Sequence, residues 1–151
     1  FFKQKTAYEM ANSLIVGGLK TGMQVSVACP EGYRPDSRVL DFANNYAGFS
    51  MFTEPMEAAS GADVIFTDVW ASMGQEGEAE ERKKIFGGKY QVNKELLAVA
   101  NSGCMVQHCL PAHRGEEITA DVFESHADEI FDEAENRLHA QKAVMVTLME
   151  K

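Results

Sequence analysis

Basic residues are scarce in this chain: Lys and Arg number 14 against 23 Asp and Glu, leaving a formal charge of −9. Nucleic acids and anionic membrane surfaces select basic faces, so neither is an expected partner. Cysteine is scarcer still. Cys29, Cys104 and Cys109, three at irregular spacing, make neither a disulfide framework nor a paired-cysteine zinc site. Long apolar runs are absent: none approaches the ~20 residues that span a bilayer. No basic start followed by an apolar stretch marks a secretory leader, and a reducing cytoplasm is the expected location. The Gly-x-Gly-x-x-Gly fingerprint is missing too. Gly17-Gly18 lies inside a helical pattern, which disfavours a nucleotide-binding oxidoreductase.

What is present suffices for one domain. Of 151 residues, 45% are hydrophobic, enough for a core. Ala11, Leu14, Ile15, Gly18 and Leu19 recur at helical spacing before Gly22. Val25 to Cys29 reads as a strand. Asp36 or Ser37 caps a second helix whose inner face is Val39, Phe42, Ala43, Tyr46 and Ala47. A strand over 49–53, a short helix over 55–59 and a buried strand over 63–67 follow. An exposed charged helix is expected over 78–86, with Glu78/Arg82 and Glu80/Lys84 one turn apart, then a helix over 92–100. The run before His108 is another buried strand. A helix over 119–125 capped by Thr119, a short strand over 129–131 and a closing helix over 133–149 complete the chain. Helices alternating with short strands predict a doubly wound α/β domain with a mainly parallel sheet. The closing helix is apolar nearly all round, at Leu138, Val144, Met145, Val146, Leu148 and Met149. It either lies central in this domain or docks on another absent from the chain.

Residues 1–9 stand apart. Lys3-Gln4-Lys5-Thr6-Ala7-Tyr8-Glu9 resembles the conceptual translation of a sequencing adapter, so residues 1–9 are expected to be non-native and 10–151 to form the domain.

Three stretches can carry chemistry. In His108-Cys109-Leu110-Pro111-Ala112-His113-Arg114-Gly115-Glu116-Glu117, Pro111 ends the strand, so the polar cluster falls at a strand's carboxyl end, where open α/β sheets bind ligands. Cys109 is either a nucleophile with His108 or His113 as base, or a small buried hydrophobe. A zinc site from His108, Cys109 and His113 is the weaker reading, because no fourth ligand is defined. Asp68-Val69-Trp70-Ala71-Ser72-Met73-Gly74 repeats the geometry after the 63–67 strand. Asp68 either holds an ammonium group or caps a turn. In Asp132-Glu133-Ala134-Glu135-Asn136-Arg137 the acids suit a helix amino terminus and Arg137 does not, which marks it as functional or as paired with Glu133 or Asp132.

Together these motifs resemble the ornithine carbamoyltransferases. Asp68 to Glu76 is similar to their ornithine-binding Ser-Met-Gly loop, and His108-Cys109-Leu110-Pro111 to their His-Cys-Leu-Pro motif. Glu133 to Arg137, with Ala143 to Val146, is similar to their closing helix. The resemblance covers roughly Met10 to Lys151 and implies the Rossmann-like second, ornithine-binding domain. It further implies transfer of a carbamoyl group from carbamoyl phosphate to the δ-amino group of L-ornithine, giving L-citrulline and phosphate. Asp68, Ser72 and Met73 would bind ornithine, and His108, Cys109 and Leu110 would lie at the carbamoyl group. Arg137 would polarise the carbamoyl oxygen, and Cys109 would position rather than attack. No metal or other cofactor is implied, and the parent enzyme would be a homotrimer.

The family's Ser-Thr-Arg-Thr and His-Pro-x-Gln motifs, which hold carbamoyl phosphate, are missing, as is its Gly-Asp-Gly-Asn-Asn. The chain is therefore expected to be inactive alone. The competing readings are a sibling carbamoyltransferase for another amine and a stand-alone amino-acid-binding module.

Overall fold

The computed structural model describes residues 7–71 and 76–150. Helix α1 (Ala7–Lys20) starts three residues ahead of Met10. It buries Ile15 and Leu19 against Ala43 of α2 (Ser37–Ala43), over Val25, Val27 and Phe49. Its end is decided by chemistry. Gly22 takes φ +84°, and Met23 N–H reaches back to Gly18 O at 2.9 Å, a left-handed cap that only glycine adopts without strain. Gly18 serves contact instead: a β-carbon there would lie 2.8 Å from Val25 Cγ2, so the missing side chain lets α1 sit close on the strand below.

That strand, β1 (Val25–Ala28), pairs in parallel with β2 (Phe49–Phe52), and α2 makes the crossover. Of the two expected caps, Asp36 is the one used: it accepts the Arg38 N–H at 2.9 Å, and Ser37 is the first residue of the helix. After α3 (Pro55–Ala59), β3 (Val64–Thr67) pairs in parallel with β4 (Met105–His108), Thr67 opposite His108. Between them lie α4 (Glu76–Phe86) and α5 (Lys94–Leu97). The larger core forms here, from Ile65, Val106, Leu96, Ile118, Val122, Phe123 and Ile130. The architecture is α/β with parallel strands and crossover helices. Among the described residues, strand pairing divides into two two-stranded ladders rather than one continuous sheet.

Several local expectations are corrected. Residues 129–131 are not a strand but part of α7 (Ala127–Met149), which follows α6 (Ala120–Ser125) after a single residue. The outer edge of β4 is met by a side chain of that helix: Glu129 Oε2 accepts the Val106 N–H at 2.9 Å. The 92–100 helix shrinks to α5, because Val92 is drawn into a bridge with Ile118 and its N–H is spent on Glu117 O at 2.8 Å. Asn93 then caps α5 by accepting from Leu96 N. Thr119 stands at the head of α6 without a side-chain cap bond. Helix α4 is not exposed throughout: Arg82 is 7% accessible. Past Ile130, α7 leaves the core, and Leu138, Val144, Met145, Val146, Leu148 and Met149 are all exposed, so it is not a central helix. No helix among the described residues is long and apolar enough to cross a membrane.

Candidate functional site

Because β3 and β4 are parallel neighbours with Thr67 opposite His108, the next residue of each leaves the ladder side by side. These are Asp68 and Cys109. The Cys109 thiol donates to Asp68 Oδ1 at 3.1 Å, and the same oxygen accepts the Val69 N–H at 2.8 Å. Burial pushes the thiol up to about 12, helped by the bond to Asp68 and by the negative charges of Asp68 and Glu133, with Arg137 opposing. Cys109 is thus a protonated donor near neutrality, not a thiolate, and a nucleophilic role lacks its reactive form. Arg137 reaches the same place from α7, its Nη1 lying 3.4 Å from Cys109 O.

His108 is wholly buried, and both ring nitrogens are engaged inside the protein. Nδ1 accepts the Leu110 N–H at 2.9 Å, which leaves the proton on Nε2 to be donated to Glu117 Oε1 at 3.0 Å. The base role left open for His108 needs a free nitrogen, and this geometry offers none. What the ring does is shape the turn. Leu110 holds φ +53°, a left-handed conformation costing a side chain roughly 1–3 kcal/mol, and a cis bond to Pro111 follows. Glu117, also wholly buried, supports both flanks: its Oε1 additionally accepts the His113 N–H at 2.6 Å. Gln91 Nε2 ties the far side of the loop through Gly115 O and Glu116 O at 2.9 and 2.7 Å.

The remaining sequence candidates scatter. His113 is exposed. Arg114 lies 4.2 Å over the Phe123 ring and pairs with Glu124 at 2.8 Å, a structural anchor. The zinc grouping of His108, Cys109 and His113 is not assembled: His108 and Cys109 cluster with Asp68, and His113 with Glu116 and Glu117. Ser72 and Met73 lie outside the described residues.

Two residues escaped the sequence reading. Glu117 sat in that stretch without a role, and only its place four residues after His113 could have hinted at one. Arg82 announced itself only as the partner of Glu78, which it does bond at 2.9 Å. Its other arm donates to Trp70 O at 3.0 Å, anchoring the chain just past Asp68.

Fold and site together define an α/β ligand-binding domain with an acid, a thiol and a guanidinium converging past two strand ends. The family model for the Asp/Orn binding domain of aspartate/ornithine carbamoyltransferase matches residues 6–148. The ornithine carbamoyltransferase of Thermococcus kodakarensis is 54% identical over 145 residues, covering 93% of this chain and 46% of that protein. Among solved structures, the anabolic ornithine carbamoyltransferase of Campylobacter jejuni superposes with a TM-score of 0.88 at 37% identity. It covers 94% of this chain and 48% of its own. That of Pyrococcus furiosus gives 0.80 at 54%, covering 89% and 44%. The chain belongs to the aspartate/ornithine carbamoyltransferase family, as its Asp/Orn binding domain. It spans about half the length of the relatives it matches.

Proposed function

We propose that this chain is the ornithine-binding half of an ornithine carbamoyltransferase, and that it carries no turnover by itself. The observation that carries the reading is the convergence of Asp68, Cys109 and Arg137 past the ends of β3 and β4. In the reaction, the lone pair of the ornithine δ-amino group forms a C–N bond to the carbamoyl carbon. The C–O bond to phosphate breaks, phosphate leaves with that electron pair, and the amine loses a proton. Negative charge grows on the carbamoyl oxygen in between, and a fixed cation nearby lowers the barrier. Arg137 is that cation in this reading. The His108-Cys109-Leu110 turn offers backbone groups to the carbamoyl amide, and Cys109 also lies close to the ornithine side chain. Asp68, Ser72 and Met73 hold the amino-acid end, where a carboxylate binds an ammonium strongly. Binding both substrates in line makes the attack effectively unimolecular, which needs the carbamoyl-phosphate half, supplied by the other part of a trimeric, cytoplasmic parent.

The test has two arms. The purified chain, given carbamoyl phosphate and ornithine, makes no citrulline above background; turnover at an enzymatic rate would overturn the inactive-half reading. By calorimetry the chain binds L-ornithine, and Asp68→Asn weakens binding roughly ten- to a hundredfold, the worth of one charge-assisted bond. Unchanged affinity in that variant would remove Asp68 from the site.

A further inference from the structure

The loop after β4 turns back on itself and gathers a second set of donor groups. Gly115 holds φ +90°, the Glu116 N–H returns to His113 O at 2.9 Å, and the Gly115 N–H reaches Ile118 O at 2.7 Å. The turn brings a ring nitrogen of His113, a carboxylate oxygen of Glu116 and one of Glu117 within 4.8 Å of one another. The two carboxylates are divided in the same way. In Glu116, Oε1 pairs with Lys83 Nζ at 2.8 Å, while Oε2 lies 3.9 Å from His113 Nδ1, too far for a hydrogen bond. In Glu117, Oε1 accepts from His108 Nε2 at 3.0 Å and from the His113 N–H at 2.6 Å. Its Oε2 is buried and has no hydrogen-bond partner among the described residues, and the whole side chain is inaccessible to water. A carboxylate oxygen cut off from water and left unpaired is unfavourable, and a cation is one partner that satisfies it. Arg114, the nearest cation in sequence, is committed to Glu124 and the Phe123 ring.

We propose that His113, Glu116 and Glu117 form a binding site for a divalent transition-metal ion of the zinc class. The ligands are His113 Nδ1, Glu116 Oε2 and Glu117 Oε2, with water completing the shell. Each carboxylate uses one oxygen to hold its orientation, through Lys83 or through His108 and the His113 amide, and keeps the other for the ion. One imidazole nitrogen with two carboxylate oxygens suits zinc better than calcium or magnesium, which take oxygen ligands. Two carboxylates and one ammonium leave one net negative charge to attract the ion. Tetrahedral zinc, with bonds of about 2.0–2.2 Å, spaces its ligands about 3.3 Å apart, so the three atoms draw together by up to about 1.5 Å. His113, exposed and at the start of a glycine turn, supplies that movement. The site shares no residue with Asp68, Cys109 and Arg137. Because Glu117 Oε1 also holds His108, the ion steadies the Leu110 turn as well.

Zinc titrated into the purified chain and followed by calorimetry tests the site without either substrate. One equivalent binds, and the thermal midpoint rises with zinc concentration. Glu117→Gln keeps an oxygen for both N–H donors but exchanges the other for an NH2 group with no lone pair to give. His113→Ala removes the nitrogen at an exposed position. Each variant weakens zinc binding by about tenfold or more. Cys109→Ser leaves binding unchanged, and cobalt in place of zinc gives a spectrum without a thiolate charge-transfer band. No binding at millimolar zinc, or unchanged affinity in His113→Ala, overturns the proposal. So does loss of binding in Cys109→Ser or a thiolate band with cobalt, either of which puts the ion at the thiol. Should Glu117→Gln fail to fold, His113→Ala decides alone.

Discussion

Cys109 shows how one side chain can look reactive in a sequence and be quiet in a fold. A thiol beside two histidines suggests a nucleophile, yet its neighbours are carboxylates and a buried wall, and its pKa is pushed up to about 12. Iodoacetamide at neutral pH should therefore modify Cys109 at least an order of magnitude more slowly in the native chain than in urea, where an ordinary thiol near 8.5 is restored. Equal rates, read by peptide mass spectrometry, would contradict the protonated donor. Glu117 is the reverse case, unremarkable in sequence and central in the fold. Glu117→Ala leaves the His108 Nε2–H and the His113 N–H without their acceptor, at a cost of roughly 1–3 kcal/mol each. Thermal unfolding of this variant should come several degrees lower, whereas Glu117→Gln keeps an acceptor and loses less.

Elements constrain one another through contacts that no single segment specifies. Helices α5 and α6 are joined by Lys94 and Asp121 at 2.8 Å, and Lys94 holds Asp121 down to about 2. A carboxyl depressed by folding adds stability that is complete above the ordinary value of 3.8 and disappears as pH falls toward about 2. Asp121→Asn should thus be less stable than the unsubstituted chain near neutrality, and the two should converge in strong acid. Both groups are largely in water, so the difference is small and shrinks with salt. A gap that widened on acidification would reverse the sign and refute the pairing. The same interdependence explains the shortened α5. Residues 92–100 read as one helix, but Val92 lies where the loop leaving β4 returns, and a bridge to Ile118 outweighs local propensity.

At the scale of the molecule, the far half of α7 is an apolar rod in water, with Leu148 65% and Met149 84% accessible. Unpaired apolar surface of this extent favours association. Sedimentation should show the chain self-associating as its concentration rises, and Val144→Lys with Leu148→Lys should suppress this without shifting the unfolding temperature. Persistent association in that double variant would move the contact to another face.

Sequence by itself determined the alternation of helices and parallel strands, the stop at Gly22, a cap at Asp36 or Ser37, and the placement of both polar loops at strand ends. These follow from periodicity and backbone chemistry acting over a few residues, and the His-Cys-Leu-Pro stretch and the closing-helix motif were specific enough to indicate the family. Only the tertiary structure decided which candidates meet. It put Asp68 beside Cys109 across 41 positions of chain, closed both nitrogens of His108, drew Arg82 inside and left His113 in solvent. It also turned 129–131 from strand to helix, because the apolar Ile130 and Phe131 carry no record of an edge whose N–H groups a carboxylate can satisfy instead. Register between β3 and β4, and the meeting of β4 with α7 through Glu129 and the Val106 N–H, are properties of pairs of segments, and hydrogen bonding between them is settled only when they are brought together.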